Sequence, residues 1–157
     1  MVAIGFRANT SEINYVIIDG SVDNPQLLDK GKLRKPKAFE LPDALSWYRK
    51  NLLELFTQYS VERCGIKTAE PFSRSMGAAA YQGSIIRANV EGVIMESAQS
   101  SGLRVIAGPF SVISSNIDSK KPKKYIGADE FRAIKEWEKL NQQYQEAVLA
   151  GVASLNN

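Results

Sequence analysis

Two long cationic side chains close two short apolar runs, and they are the residues of this chain best placed to do chemistry. Arg7 follows Met1-Val2-Ala3-Ile4-Gly5-Phe6, and Lys67 follows Cys64-Gly65-Ile66. A long side chain at the end of a buried strand faces a cleft, and here both candidates are positive. Such a pair suits a phosphate, or an internal partnership with acids such as Glu70 or Glu146. Two basic stretches offer the same chemistry over a wider surface. Lys30, Lys32, Arg34, Lys35 and Lys37 form one, and Lys120, Lys121, Lys123 and Lys124 form the other. Either is a phosphate-binding loop or a solvated one that maintains solubility. Each phosphate contact would steepen the loss of affinity with salt by about 0.9 log units.

Other chemistries are excluded by composition. The chain has no histidine, so the usual general base and commonest metal ligand are missing. The single cysteine, Cys64, lies in an apolar run, where it reads as a small buried hydrophobe rather than a thiolate ligand. With 157 residues, 44% hydrophobic and 24% charged, one domain spanning 1–157 is expected. The net charge of +3 permits a polyanionic partner without demanding one. No apolar stretch approaches the ~20 residues that cross a bilayer, and the start lacks a basic signal-peptide region. The expectation is a cytoplasmic protein with no membrane partner.

Periodicity sets out the scaffold for these side chains. Residues 1–6 read as a strand buried on both faces, and 13–18 as a second strand joined to it by a polar loop. The basic stretch at 30–37 is expected to lead into a third strand near 38–41. From Pro42 the period changes: Leu45, Tyr48, Leu52, Leu55 and Phe56 mark one helical face. Pro42 and Asp43 suit the first turn of that helix. Its aromatic residues, Trp47 included, are expected to pack in the core rather than stack on bases.

A strand at 63–67 comes next, then a helix over about 75–100. Gly77, Ala78, Ala79, Ala80, Gly83, Ala88 and Gly92 would let that helix lie close to a sheet. A strand at 104–107, a short helix at 110–117, a solvated loop at 118–124 and a helical region over 128–155, broken near Asn141, complete the chain. Trp137 and Tyr144 would share a face of that last region. The order implies an α/β fold: a mixed five-stranded sheet, with an antiparallel hairpin start, then alternating helix and strand, and helices on both faces.

That order resembles the ribonuclease H-like fold, and short segments sharpen the likeness. Ala3-Ile4-Gly5-Phe6-Arg7-Ala8-Asn9 is similar to the first strand of RuvC-type Holliday junction resolvases, which reads apolar-Gly-apolar-Asp-Pro-Gly. Val61-Glu62-Arg63-Cys64-Gly65-Ile66-Lys67 is similar to their fourth strand, which ends in Ile-Glu. Gln143-Tyr144-Gln145-Glu146-Ala147-Val148-Leu149-Ala150 looks like their final helix. A small uncharacterised bacterial family on this fold also places Ile-Lys on the fourth strand, as Ile66-Lys67 does here.

In catalytic members, carboxylates hold two divalent cations about 3.5–4 Å apart, flanking the scissile phosphate. The resemblance carries these acids onto Arg7, Lys67, Gln143 and Glu146, so Glu146 is the one acid kept. A unit charge repels another 4 Å away by roughly 4 kcal/mol at an effective dielectric near 20, and a dication by about twice that. The resemblance therefore implies a degenerate site with no metal or catalytic residue. The expected function is a catalytically silent nucleic-acid-binding or accessory module, with DNA or RNA as partner and a homodimer by analogy.

Two alternatives stay open. One is a structure-selective nuclease dependent on Mg or Mn, built on relocated carboxylates. It would draw on Glu70 and Glu146, with Glu12 and Asp19 in loops and Asp129 at a helix start. The other is a protein-interaction or oligomer-forming module with no nucleic-acid role.

Overall fold

A computed structural model describes residues 1–71, 75–117 and 122–156, with the main chain alone at 122 and 123. Among them, five strands form one mixed sheet in the order β3-β2-β1-β4-β5. Strand β1 (Val2–Ala8) turns back into β2 (Glu12–Gly20), and the two pair antiparallel from Val2–Asp19 to Ala8–Ile13. Asn9 makes the turn, its Oδ1 accepting from the Ser11 and Glu12 N–H groups. Strand β4 (Arg63–Lys67) lies parallel to β1, and β5 (Arg104–Gly108) lies parallel to β4. The mixed five-stranded sheet, with its antiparallel hairpin start followed by alternating helix and strand, is the one expected from the sequence.

The third strand is not at 38–41. β3 runs over Pro25–Arg34 and pairs with β2, so Lys30, Lys32 and Arg34 are strand residues rather than a loop leading to one. The alternation that would have marked this strand is broken by a register shift at Ile17/Ile18. There Ile17 pairs with Asp29 and Ile18 with Leu27, leaving Leu28 as an extra, exposed residue. An edge strand studded with lysine also resists pairing with other chains, which is why its composition resembles a loop.

Helix α1 (Leu41–Gln58) has Pro42 in its first turn and Asp43 beside the positive end of its dipole. Its face of Ala44, Tyr48, Leu52, Leu55 and Phe56 is buried against Ile4, Phe6, Cys64 and Ile66. Helix α2 (Ala78–Ser100) joins the same cluster through Val90, Ile94 and Ala98. Its glycines do not touch the sheet: a Cβ at Gly92 would meet nothing within 4 Å, and one at Gly83 only the Thr10 methyl at 3.5 Å.

The opposite face of the sheet carries α3 (Phe110–Ser115) and α4 (Gln142–Ser154). Helix α4 is shorter than the expected 128–155. Arg132 and Glu136 adopt φ of 50° and 56°, a left-handed conformation no α-helix can pass through. Trp137 is therefore not on the last helix with Tyr144. It sits fully buried in a 3-10 turn (Trp137–Lys139), its indole N–H donating to the Tyr125 carbonyl at 3.0 Å. Asn141 ends this irregular stretch and caps α4, its Oδ1 accepting from the Tyr144 N–H at 3.0 Å. No helix among the described residues is long and apolar enough to cross a membrane.

Helix α4 rests directly on the sheet at three glycines. A Cβ at Gly5 on β1 would collide with the Ala147 carbonyl oxygen, and one at Gly65 on β4 with the Ala150 carbonyl oxygen. Facing them, a Cβ at Gly151 would come within 2.8 Å of Ile18 Cδ1. Main chain thus lies on main chain, with glycine as the only residue type that fits.

Candidate functional site: paired cations at the strand ends

The side chains of a strand alternate between faces. On β1, Ile4, Phe6 and Ala8 join the cluster under α1, which leaves Gly5 and Arg7 on the α4 face. On β4, Cys64 and Ile66 join that cluster, which leaves Gly65 and Lys67 with α4. Gly5 and Gly65 are register partners, as are Phe6 and Ile66. Arg7 and Lys67 come immediately after, at the ends of adjacent parallel strands. The glycines admit the helix, and the cations stand where its first turns begin.

Both cations line one cavity of about 790 Å³, together with Glu70, Arg87, Phe110, Ile126 and Glu146 among others. It lies beyond the carboxyl ends of β1 and β4, the usual place for a ligand on an open sheet. Each cation has an acid. Arg7 Nε reaches Glu146 Oε2 at 2.7 Å, and its guanidinium also donates to the Ala8 carbonyl. Lys67 Nζ reaches Glu70 Oε1 at 2.8 Å and the Thr68 carbonyl at 2.6 Å, and lies 4.3 Å from the Phe110 ring centroid. Arg87, one turn before Glu91 on α2, binds Glu91 Oε1 at 2.7 Å.

These contacts interlock. Glu91 also accepts from the Ala69 N–H, and Arg87 donates to the Lys67 carbonyl. Burial pushes the Lys67 ammonium down from its usual value, against the pull of Glu70 and Glu146. Burial likewise lowers Arg87, with the Arg7 guanidinium adding to the effect.

Of the residues singled out from the sequence, Arg7, Lys67, Glu70 and Glu146 meet in this cavity. Gln143 does not line it. Its Oε1 accepts from Asn9 and Asn14 under the β1–β2 hairpin, while Gln142 faces the cavity and donates to Glu146 Oε1 at 3.0 Å. Glu12 and Asp19 are strand residues of β2, not loop residues, and neither joins the site. Glu12 is bound by Lys32 and Arg34, and Asp19 by the N-terminal amine. Asp129 starts no helix and also stands apart from the cavity.

The first basic stretch is elsewhere. Lys32, Arg34, Lys35 and Lys37 lie on and after the far edge strand, and Lys35 Nζ binds the Phe39 carbonyl at 3.1 Å. Lys124 rests 4.7 Å from the Tyr125 ring centroid. Lys120, Lys121 and the Lys123 side chain lie outside the described residues. Arg87 and Glu91 were not foreseen. Their four-residue spacing on one helix, an acid one turn after an arginine, was the signal available.

Cys64 is fully buried, and burial pushes its thiol well above the usual value. A divalent-metal pair does not fit these residues. The carboxylates lining the cavity, Glu146 and Glu70, are held by Arg7 and Lys67, and the neighbouring Glu91 by Arg87. Among the described residues, no group of three or more His, Cys, Asp or Glu side chains is arranged around a common ion position.

No protein-family model and no curated protein sequence matches the chain. Solved structures do. RuvC of T. thermophilus in complex with Holliday junction substrate superposes with a TM-score of 0.70 at 14% identity, over 98% of this chain and 91% of that one. The fold is that of RuvC. A second Thermus thermophilus RuvC structure agrees, with a TM-score of 0.70 at 12% identity, covering 98% of this chain and 92% of the other. The mixed sheet with helices on both faces is thus the ribonuclease H-like architecture that the element order implied.

Proposed function

We propose that this chain is a catalytically silent relative of RuvC that binds nucleic acid, or serves a nucleic-acid-processing partner, without metal-dependent cleavage. The observation that carries the proposal is the pairing of Arg7 with Glu146 and Lys67 with Glu70 inside one cavity at the strand ends. Carboxylates engaged by cations are poor ligands for Mg²⁺, and the cations repel it. The same cations attract a phosphate. Support for a nucleic-acid partner comes from the RuvC structure of the same fold, which holds a Holliday junction substrate. The exposed Lys32 and Arg34 on β3 offer a second set of phosphate contacts.

The test is fluorescence anisotropy with a four-way junction, a duplex and a single strand, each in low and moderate salt. Binding is expected to weaken steeply, by about 0.9 log units per phosphate contact for each decade of salt. Arg7→Gln should weaken it further. Parallel incubations with Mg²⁺ and Mn²⁺ should leave every substrate intact. Absent or salt-insensitive binding would remove the proposal.

A second reading is favoured by the presence of both Glu70 and Glu146 at the cavity, where relocated acids would have to be. It expects Mn²⁺-dependent cleavage that disappears in Glu70→Gln or Glu146→Gln. The homodimer is a separate proposal that light scattering decides.

A further inference from the structure

Among the described residues, the ion pairs at the cavity are not equivalent. In the Arg7–Glu146 and Arg87–Glu91 pairs the acid is the buried partner, with side chains 5% and 6% exposed. Each of those acids is held by a further donor, Gln142 on Glu146 and the Ala69 N–H on Glu91. The remaining pair is reversed. Lys67 is 3% exposed, while its partner Glu70 is 45% exposed. A buried ammonium needs an anion beside it, and here that anion is delivered from the surface. One oxygen of Glu70, Oε1, takes both Lys67 Nζ at 2.8 Å and the Phe110 main-chain N–H at 3.0 Å.

We propose that Glu70 is a tethered stand-in for a ligand phosphate: a phosphoryl group displaces its carboxylate and takes the donors on Lys67 and Phe110. The proposal rests on the metal-free reading above, and it names the group that the cavity recognises. A phosphomonoester carries about −1.5 to −2 charge at neutral pH and three strong acceptor oxygens. It can therefore take the two donors that Glu70 Oε1 now takes and still offer an oxygen to Arg7 or Arg87, which line the same cavity. A cavity of about 790 Å³ has room for more than the phosphate. Phe110, Ile126 and Met76 give it an apolar wall suited to a sugar or base. Exchange leaves Lys67 neutralised throughout, so the buried charge is never stranded. The phosphoryl group comes either from a free nucleotide or from the end of a nucleic-acid strand.

The experiment is calorimetric titration with inorganic phosphate, AMP, and matched oligonucleotides bearing a 5′-phosphate or a 5′-hydroxyl, at constant ionic strength. The proteins are wild type, Glu70→Ala, Glu70→Gln, and Glu70→Ala combined with Lys67→Met. Both single variants should bind phosphate roughly tenfold or more tightly than wild type, the range of ordinary site coupling. Adding Lys67→Met should abolish the gain. Preference for AMP, or for the 5′-phosphorylated strand over its hydroxyl counterpart, identifies the source, and either supports the proposal.

Unchanged or weaker phosphate binding in the folded Glu70 variants overturns it. Should both variants unfold, wild type decides: its thermal midpoint must rise more with AMP than with adenosine at equal concentration and ionic strength, and no difference overturns the proposal. Junction binding by wild type reads the functional proposal separately, because that measurement leaves Glu70 in place.

Discussion

At the scale of single residues, the site is an exercise in keeping buried charge matched. Glu146 is the better-buried half of its pair with Arg7, so Glu146→Gln removes a charge and leaves a guanidinium short of its counterion. Breaking such a pair should cost about 3 kcal/mol in urea denaturation. Replacing both partners, Arg7→Met with Glu146→Leu, should return stability to within about 1 kcal/mol of wild type, since the charge and its desolvation go together.

Lys67 supplies a pH signature. Its folded-state value lies below the ordinary 10.5, so between the two the unfolded chain holds more protons. Stability from this residue therefore increases as pH rises through that window. Lys67→Met should flatten the increase in denaturation curves taken from neutral pH up to 10.5.

The pair itself was legible in the sequence as Gly5-Phe6-Arg7 and Gly65-Ile66-Lys67, a repeated glycine-apolar-cation triplet at two strand ends. The acids that answer it were legible only as names. Nothing local places Glu70 on Lys67 rather than in solvent. Gln142 and Gln143 are adjacent on the chain, and only the rotation of α4 decides which one faces the cavity.

At the scale of elements, α4 meets β1 and β4 backbone to backbone, and single methyl groups should expose that contact. In Gly65→Ala the new carbon meets a helix carbonyl that cannot step aside alone. A loss of about 3 kcal/mol or more is expected in chemical denaturation. Gly92→Ala on α2 meets nothing and relieves a mid-helix glycine, so it should gain about 0.5–1 kcal/mol. The sequence showed small residues in abundance on α2 and invited the opposite assignment. What separates the two sets is the partner surface, which no single segment contains.

β3 was missed for a related reason. Its bulge at Leu28 and its exposed lysines conceal the inward residues Leu27, Gly31 and Leu33. The ladder there carries its own titration. Burial raises the Glu12 carboxyl, but hydrogen bonds from Arg34 and Lys32 outweigh it and hold the group below its usual 4.5. That contribution is present above pH 4.5 and is lost as pH falls through the folded value, so Glu12→Gln should shallow the acid limb of the stability curve.

At the scale of the whole molecule, the sheet is a shared wall. Ile4, Phe6, Ile17 and Ile66 face one apolar cluster, while Ala3, Val16 and Ile18 face the other. Neither cluster is complete without the strands between them. Thermal unfolding is accordingly expected as one transition, with calorimetric and van't Hoff enthalpies equal. Two separable transitions would contradict a single domain over 1–157.

The element order was readable because apolar periodicity changes where helix replaces strand, as at Pro42. The stretch 128–141 was not, because its apolar residues mimic a helical face while Arg132 and Glu136 turn left-handed. Charge is also arranged at this scale. The cavity cations and Arg34 on the far edge strand are each answered by an acid, but Arg34 keeps its guanidinium exposed to solvent while it binds Glu12.

The glycine contact between α4 and the sheet has one more consequence. Where backbone rests on backbone, the seat of α4 on β1 and β4 is set by main-chain atoms common to every amino acid. The side chains at positions 7 and 67 line the cavity beyond that contact and take no part in it. Their charge can therefore be exchanged while the contact that seats the helix stays as it is, so a change of trade at these two positions need not begin with a change of architecture.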